Sequence, residues 1–251
     1  MEYVLITGGT SGIGYALAEK FAKEKYGIII AASNQERLEQ TKEKLQKRYG
    51  VPVYIYQQNL AEIGSAEALY EKIKQDNIEI DILVNNAGYG QIGAAEEIDL
   101  KEEQGLMILN MISLTELCKL FLKDMYRNRK GKILNVASTG AFQPGPYTAA
   151  YYASKSYVLS YSRAIRVEAR EKGVQVCTLC PGTTDTEFFH KAGRKTPKGA
   201  MAPEKTAEYA YHKFIKNKEI IVPGILNRLV RIVPVKIKIF FVSLLKKKDS
   251  A

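Results

Sequence analysis

The chain has 251 residues, 37 of them basic and 27 acidic, for a formal net charge of +10. With 46% apolar and 25% charged residues, that length describes a soluble globular protein of one α/β domain, or two small ones, with ample core. The excess charge gathers at Lys213, Lys216, Lys218, Arg228, Arg231, Lys236, Lys238 and Lys246-Lys247-Lys248, opposed there by Glu219 and Asp249. The rest of the chain is near neutral, which excludes a globally basic, nucleic-acid-binding surface.

The elements alternate. Val4-Thr7 reads as a strand, Ile13-Lys25 as a helix, and Gly27-Ala31 as an apolar run suited to a strand buried on both faces. A charged helix, Gln35-Tyr49, precedes a strand at Val53-Gln57 and a helix at Ser65-Asp76. Ile80-Val84 is a fourth strand. Long helices are expected near Leu106-Arg127 and Tyr151-Lys172, with a strand at Lys132-Ala137 between them. Val174-Leu179, a helix near Glu204-Asn217 and a short strand at Ile220-Val222 complete the pattern. Strands spaced by helices predict βαβ units in a doubly wound parallel sheet of seven strands, a Rossmann-type α/β domain over residues 1–223. The stretch Glu187-Met201 is poorly patterned and reads as a loop.

The chain opens directly into its first strand, leaving no room for a signal peptide, and a cytoplasmic location is expected. Cys118, Cys177 and Cys180 suit a reducing compartment. Cys177 and Cys180 have C-x-x-C spacing, but they sit in a strand-like run that points them to opposite faces, and no second pair completes a metal site. His190 and His212 are isolated.

The first strand–helix junction, Thr7-Gly8-Gly9-Thr10-Ser11-Gly12-Ile13-Gly14, has the glycines that let a backbone turn tightly and a pyrophosphate approach. The helix that follows directs its N–H groups at the anion. Farther on, Tyr151 and Lys155 stand four apart and share one helix face. An ammonium beside a phenol is expected to lower the phenol pKa toward neutrality, making Tyr151 an acid/base near pH 7. Tyr147, Tyr152, Tyr157 and Tyr161 crowd the same region, but only Tyr151 has the lysine; Tyr152 is expected to pack and Tyr147 to line the substrate mouth.

These motifs together resemble the short-chain dehydrogenase/reductase family. The junction matches T-G-x-x-x-G-x-G, and Asn85-Asn86-Ala87-Gly88 after the fourth strand matches N-N-A-G. Asn110, Ser138 and Tyr151-x-x-x-Lys155 follow in the family's order, and Pro181-Gly182 and Thr186 follow the sixth strand. The resemblance implies that Tyr151 is the catalytic acid/base, that Lys155 assists it and holds nicotinamide-ribose hydroxyls, that Ser138 polarises the substrate oxygen, and that Asn110 holds a water linking Lys155 to solvent. It also implies dinucleotide contacts from Gly8, Thr10, Ser11, Gly12, Ile13, Gly14, Asn86, Ala87, Gly88, Pro181, Gly182, Thr184 and Thr186. Asn59 and Leu60 stand where the family carries Asp and an aliphatic residue beside adenine.

No acidic residue ends the second strand, where one would hold an adenosine ribose 2′-OH. Ser33, Asn34 and Arg37 could bind a 2′-phosphate, so NADP(H) is favoured over NAD(H). The expected reaction is carbonyl/alcohol interconversion, run as reduction of a hydrophobic or lipid-like ketone or aldehyde. The alternatives are an NAD-dependent alcohol dehydrogenase of the same family and a non-catalytic dinucleotide-binding sensor or scaffold. Phe188, Phe189 and Met201 suggest an apolar lid, with Lys191, Arg194, Lys195 and Lys198 able to meet an acidic group. The family implies a homodimer or homotetramer through the two long helices.

Residues 224–251 form a basic, apolar extension. It is expected to cap its own domain, to cross to a dimer partner or to lie on an anionic membrane surface; Pro234 and the charges argue against a spanning helix. The alternation Val235-Lys236-Ile237-Lys238-Ile239 allows a β-segment.

Overall fold

A computed structural model describes residues 1–187, 197 and 199–250, with side chains through Leu244. Seven parallel strands form one sheet in the order β3-β2-β1-β4-β5-β6-β7. They are β1 (Tyr3–Thr7), β2 (Gly27–Ala32), β3 (Val53–Gln57), β4 (Ile82–Asn85), β5 (Gly131–Val136), β6 (Val174–Leu179) and β7 (Ile220–Ile221). The central strand β1 pairs Val4 with Ile28 on one side and with Ile82 on the other. The chain therefore leaves β1 in one direction and returns at β4 in the other, which opens a crevice at the carboxyl ends of these strands.

The continuous apolar strands are buried on both faces. Ile29 and Ala31 of β2 join a core with Leu69, Phe121 and Val158, from helices α3 (Ser65–Gln75), α5 (Leu114–Arg127) and α6 (Ala149–Glu171). Ile28 and Ile30 face the other core, with Leu17, Phe21, Leu38 and Phe214 from α1 (Gly12–Lys23), α2 (Gln35–Tyr49) and α7 (Pro203–Ile215). Phe21 makes edge-on ring contacts with Tyr26, Tyr211 and Phe214. Cys180 belongs to the first core and Cys177 to the second, so the C-x-x-C pair is split by the sheet, as expected. All three cysteines are free, and no metal-ligand cluster occurs among the described residues.

The helix expected from Leu106 starts earlier, at α4 (Leu100–Met107), where Asp99 caps it by accepting from the Lys101 and Glu102 N–H groups. It passes through a π-helical turn, Ile108–Ser113, into α5. The run Leu100–Arg127 is long and apolar enough to cross a bilayer. Leu106, Leu114, Leu117 and Phe121 are nevertheless buried in this protein, so its apolar face is already used by the core.

Beyond Val222 come a short helix, α8 (Ile225–Leu229), and a longer one, α9 (Val235–Ser250). The alternating segment Val235–Ile239 is thus helical, not β. Among the described residues no strand pairs with β7 on its outer side, so the segment joins no sheet.

Candidate active site

A cavity of about 800 Å³ opens at the carboxyl ends of the strands, beside the β1/β4 reversal. Gly8, Thr10, Ser11, Gly12 and Ile13 line one end, and Ser138, Tyr151 and Lys155 line the other. Asn86, Ala87, Gly88, Asn59, Leu60, Ser33, Pro181, Gly182, Thr184 and Thr186 line it as well. Of the described residues singled out in the sequence for the site, Gly14, Asn34, Arg37, Asn110, Tyr147 and Met201 do not reach the lining.

Each exception has a local cause. A Cβ on Gly14 would overlap the Gly8 carbonyl oxygen, so this glycine lets α1 close against the loop that lines the cavity. Asn34 caps α2, its side chain accepting from the Arg37 N–H at 2.8 Å. The Arg37 guanidinium pairs with Glu187, a cavity-lining residue, at 2.6 Å. The sequence reading did not single out Glu187, 150 residues away. Tyr147 has φ 60° and its carbonyl accepts from Gly93 N–H at 2.9 Å, beside the cavity and not in its lining.

The dinucleotide end has an unfilled polar feature. Ser11 stands at the N-terminus of α1 yet makes no capping hydrogen bond. Among the described residues, then, no capping side chain meets the first N–H groups of α1, beside a cavity that Ser11, Gly12 and Ile13 line, and this arrangement fits a pyrophosphate. Thr7 Oγ1 accepts from the N–H groups of both Asn86 and Ala87 at 3.0 Å, fixing the Asn86-Ala87-Gly88 loop to β1. Asn59 forms a closed local turn, with its Oδ1 accepting from Ala61 N–H at 3.2 Å and its Nδ2 donating to Glu62 at 2.7 Å.

At the other end, Ser138 caps the 3₁₀ turn Thr139–Phe142, accepting from Gly140 N–H at 3.0 Å, and also hydrogen-bonds Tyr151. Lys155 Nζ lies 5.9 Å from the Tyr151 ring centre and donates to the Val136 carbonyl at 3.0 Å. Asn110 sits in the π-helical turn, its Nδ2 donating to the Tyr89 carbonyl and to Ser154 Oγ, both at 3.0 Å. Ser154 Oγ donates in turn to the Tyr151 carbonyl at 2.7 Å. This chain from Asn110 to the Tyr151 backbone orients the first turns of α6, and Ser154 carried no sequence signal beyond its place in the Tyr-x-x-x-Lys run. A Cβ on Gly88 would stand 2.9 Å from Asn110 Oδ1 and 3.1 Å from Lys155 Nζ, so glycine there lets both groups approach the loop.

The electrostatics differ from the sequence expectation. Burial pushes the Tyr151 phenol up to about 12, against a smaller lowering by Ser138. Burial also pulls the Lys155 ammonium down to about 8. The lysine does not bring the phenol toward neutrality because desolvation dominates both groups and its own donor is directed at Val136. Tyr152 packs edge-on against Tyr151 at 5.9 Å and shares the cavity wall.

Phe188, Phe189, His190, Lys191, Arg194, Lys195 and Lys198, from the expected substrate loop, lie outside the described residues. Met201, at its end, pairs with the loop after β6, its N–H donating to the Thr183 carbonyl at 3.0 Å. His212 pairs with Glu208 at the surface.

Comparison with known proteins agrees with this geometry. A short chain dehydrogenase family model matches residues 2–197. The chain belongs to the short-chain dehydrogenase family. It is 32% identical over 203 residues to mouse (Mus musculus) 17-beta-hydroxysteroid dehydrogenase type 3, covering 79% of this chain and 65% of that one. It is 30% identical to the very-long-chain 3-oxoacyl-CoA reductase of Anas platyrhynchos, covering 71% and 58%. The chain thus spans rather less than two thirds of the length of these relatives. A solved short-chain dehydrogenase from Sphingobium yanoikuyae, in complex with NADPH, superposes with a TM-score of 0.85 at 29% identity, over 90% of this chain and 88% of that one.

Proposed function

We propose that the protein is a nicotinamide-dependent oxidoreductase that interconverts a carbonyl and an alcohol, acting on a hydrophobic or lipid-like ketone or aldehyde. The observation that carries this reading is the meeting, in one cavity, of an uncapped helix N-terminus at one end with the Ser138–Tyr151 hydrogen bond and buried Lys155 at the other. A dinucleotide laid between them, when bound, supplies or accepts the hydride.

The chain's own residues handle the proton. Ser138 hydrogen-bonds the substrate oxygen and orients it toward Tyr151 Oη. The phenol, held protonated by its burial, donates to that oxygen as negative charge develops on it. Lys155, mostly charged below about pH 8, lies close enough to stabilise the phenolate that results. Asn110 and Ser154 keep the tyrosine-bearing turn in place. A phenol that stays protonated at neutral pH suits the reductive direction.

NADP(H) is the favoured cofactor. No carboxylate stands at the end of β2 to repel a 2′-phosphate, and Ser33 lines the cavity there. Arg37 can reach the same place once it leaves Glu187. The mouse and duck relatives are named for steroid and very-long-chain acyl substrates, which supports a bulky apolar carbonyl. We further propose a homodimer through the exposed faces of α5 and α6.

Titration with NADPH and NADH by nicotinamide fluorescence, followed by a panel of ketones from small and polar to long-chain and polycyclic, tests the reading. Tighter NADPH binding and preferential reduction of the large apolar ketones are expected. Equal turnover of small polar ketones would remove the lipid-like assignment, and binding of neither dinucleotide would overturn the whole reading.

A further inference from the structure

The tail inverts the usual sorting of side chains. On α9, Lys238 is 7% exposed and donates to the Phe142 carbonyl at 2.7 Å, in the turn that Ser138 caps. Burial lowers its pKa. One turn on, Val242 lines the cavity. Ahead of α9, Arg231 lies over the Phe142 ring, and Asn227 packs so tightly on Gly182 that a Cβ there would overlap it. One face of the tail is therefore a wall of the candidate active site.

Its other face is apolar and uncovered. Phe240 is 61% exposed and Phe241 58%, while Ile225, Leu226 and Ile232 each exceed 70%. On α9 the exposed positions 237, 240, 241 and 244 fall on a single helical face. At 16 residues α9 is about 24 Å long, which suits lying along a bilayer surface and not spanning it.

Charge decides between occupants. From residue 213 onward, ten basic residues are opposed by Glu219 and Asp249 alone, so the tail keeps a positive excess even with Lys238 and Arg231 turned toward Phe142. Two copies meeting through this face about a two-fold axis would set basic against basic. An anionic bilayer instead offers an apolar interior to the phenylalanines and phosphate charge to the lysines.

We infer that residues 225–244 dock on an anionic lipid surface, with the Phe240/Phe241 face inserted, and that the same segment thereby holds the cavity mouth at that surface. Docking rests on the tail alone. Delivery of substrate from the bilayer to the site rests on the lipid-like carbonyl reading above.

The test uses the full chain with phosphatidylcholine vesicles and with phosphatidylcholine/phosphatidylglycerol vesicles, scored by co-sedimentation. Wild type is expected to partition onto the anionic vesicles and weakly onto the neutral ones. The Phe240→Asp/Phe241→Asp variant should lose about tenfold or more of that partitioning. Unchanged circular dichroism and NADPH binding establish that the variant is folded. Wild type that ignores anionic vesicles, or a variant that binds them equally well, overturns the proposal. So does a wild-type dimer that the variant dissolves without any vesicle binding, which would give the face to a second copy. If docking follows the expected pattern but a long-chain ketone carried in the vesicles is not reduced, the docking surface stands and the lipid-carbonyl reading fails.

Discussion

Phe21 on α1 and Phe240 on α9 are the same side chain on two helices with opposite fates: the first is fully buried among aromatic rings, the second 61% exposed. The helices differ in what surrounds them. α1 follows a central strand and is held against the sheet by short βα connections, and α7 packs beside it. α9 follows β7, pairs its segment with no strand among the described residues, and buries a lysine where a core helix would bury a phenylalanine. Apolar content alone thus does not make a core; it must recur at helical spacing on an element that topology returns to the sheet.

Truncation gives the sharpest break between the two regions. Phe21→Ala should destabilise the fold by about 3–5 kcal/mol. Phe240→Ala should stay within about 0.5 kcal/mol, since the side chain is largely exposed and its ring contact is with the equally exposed Phe241. Denaturant melts of both variants check the pair, and comparable losses would mean that the tail is core.

The next largest effect lies in the first loop. Gly14→Ala forces a methyl group onto the Gly8 carbonyl oxygen, and NADPH affinity should fall about a hundredfold. Retained affinity in a fluorescence titration would show that α1 can shift without losing the cradle.

Lys155 separates function from stability within the well-packed region. Its pKa in the folded protein is about 8, below the ordinary 10.5. The wild-type protein therefore bears the full cost of the buried charge below about pH 8, and that cost is relieved as pH rises from about 8 to 10.5. Lys155→Met should abolish turnover yet stabilise the fold at pH 7 by about 1–3 kcal/mol. The advantage should shrink across that window, as melts at pH 7, 9 and 10.5 would reveal. A pH-independent difference would mean that Lys155 is not buried as a cation.

The smallest expected effect concerns the pair that bridges the nucleotide end. Glu187→Gln frees Arg37, and because the pair is half exposed the preference for NADPH over NADH should rise only about threefold. No change would place Arg37 outside reach of the 2′-phosphate.

The sequence disclosed most of the fold because its central strands are apolar on both faces and its helices carry recognisable stops. Gln35–Tyr49, Val53–Gln57 and Val174–Leu179 are observed at the boundaries that residue pattern predicts. The cavity lining was legible where a motif fixes backbone conformation, as at Gly8 to Ile13 and Asn86 to Gly88. It was not legible where long-range packing decides. Glu187 meets Arg37, Asn110 ties Ser154 to the Tyr151 backbone, and Val242 reaches the cavity only because the chain folds back. The Tyr151 titration was misjudged for a related reason: spacing reports adjacency to Lys155, whereas desolvation depends on everything packed around the pair.

The most direct test of the central claim is a comparison of wild type with Tyr151→Phe, measuring NADPH binding and ketone reduction on the same preparations. The variant should bind NADPH as wild type does and lose about a thousandfold or more in turnover, because only the proton donor is removed. A variant that reduces ketones at the wild-type rate would contradict the assignment of Tyr151 as the acid and, with it, the reading of this cavity as the active site.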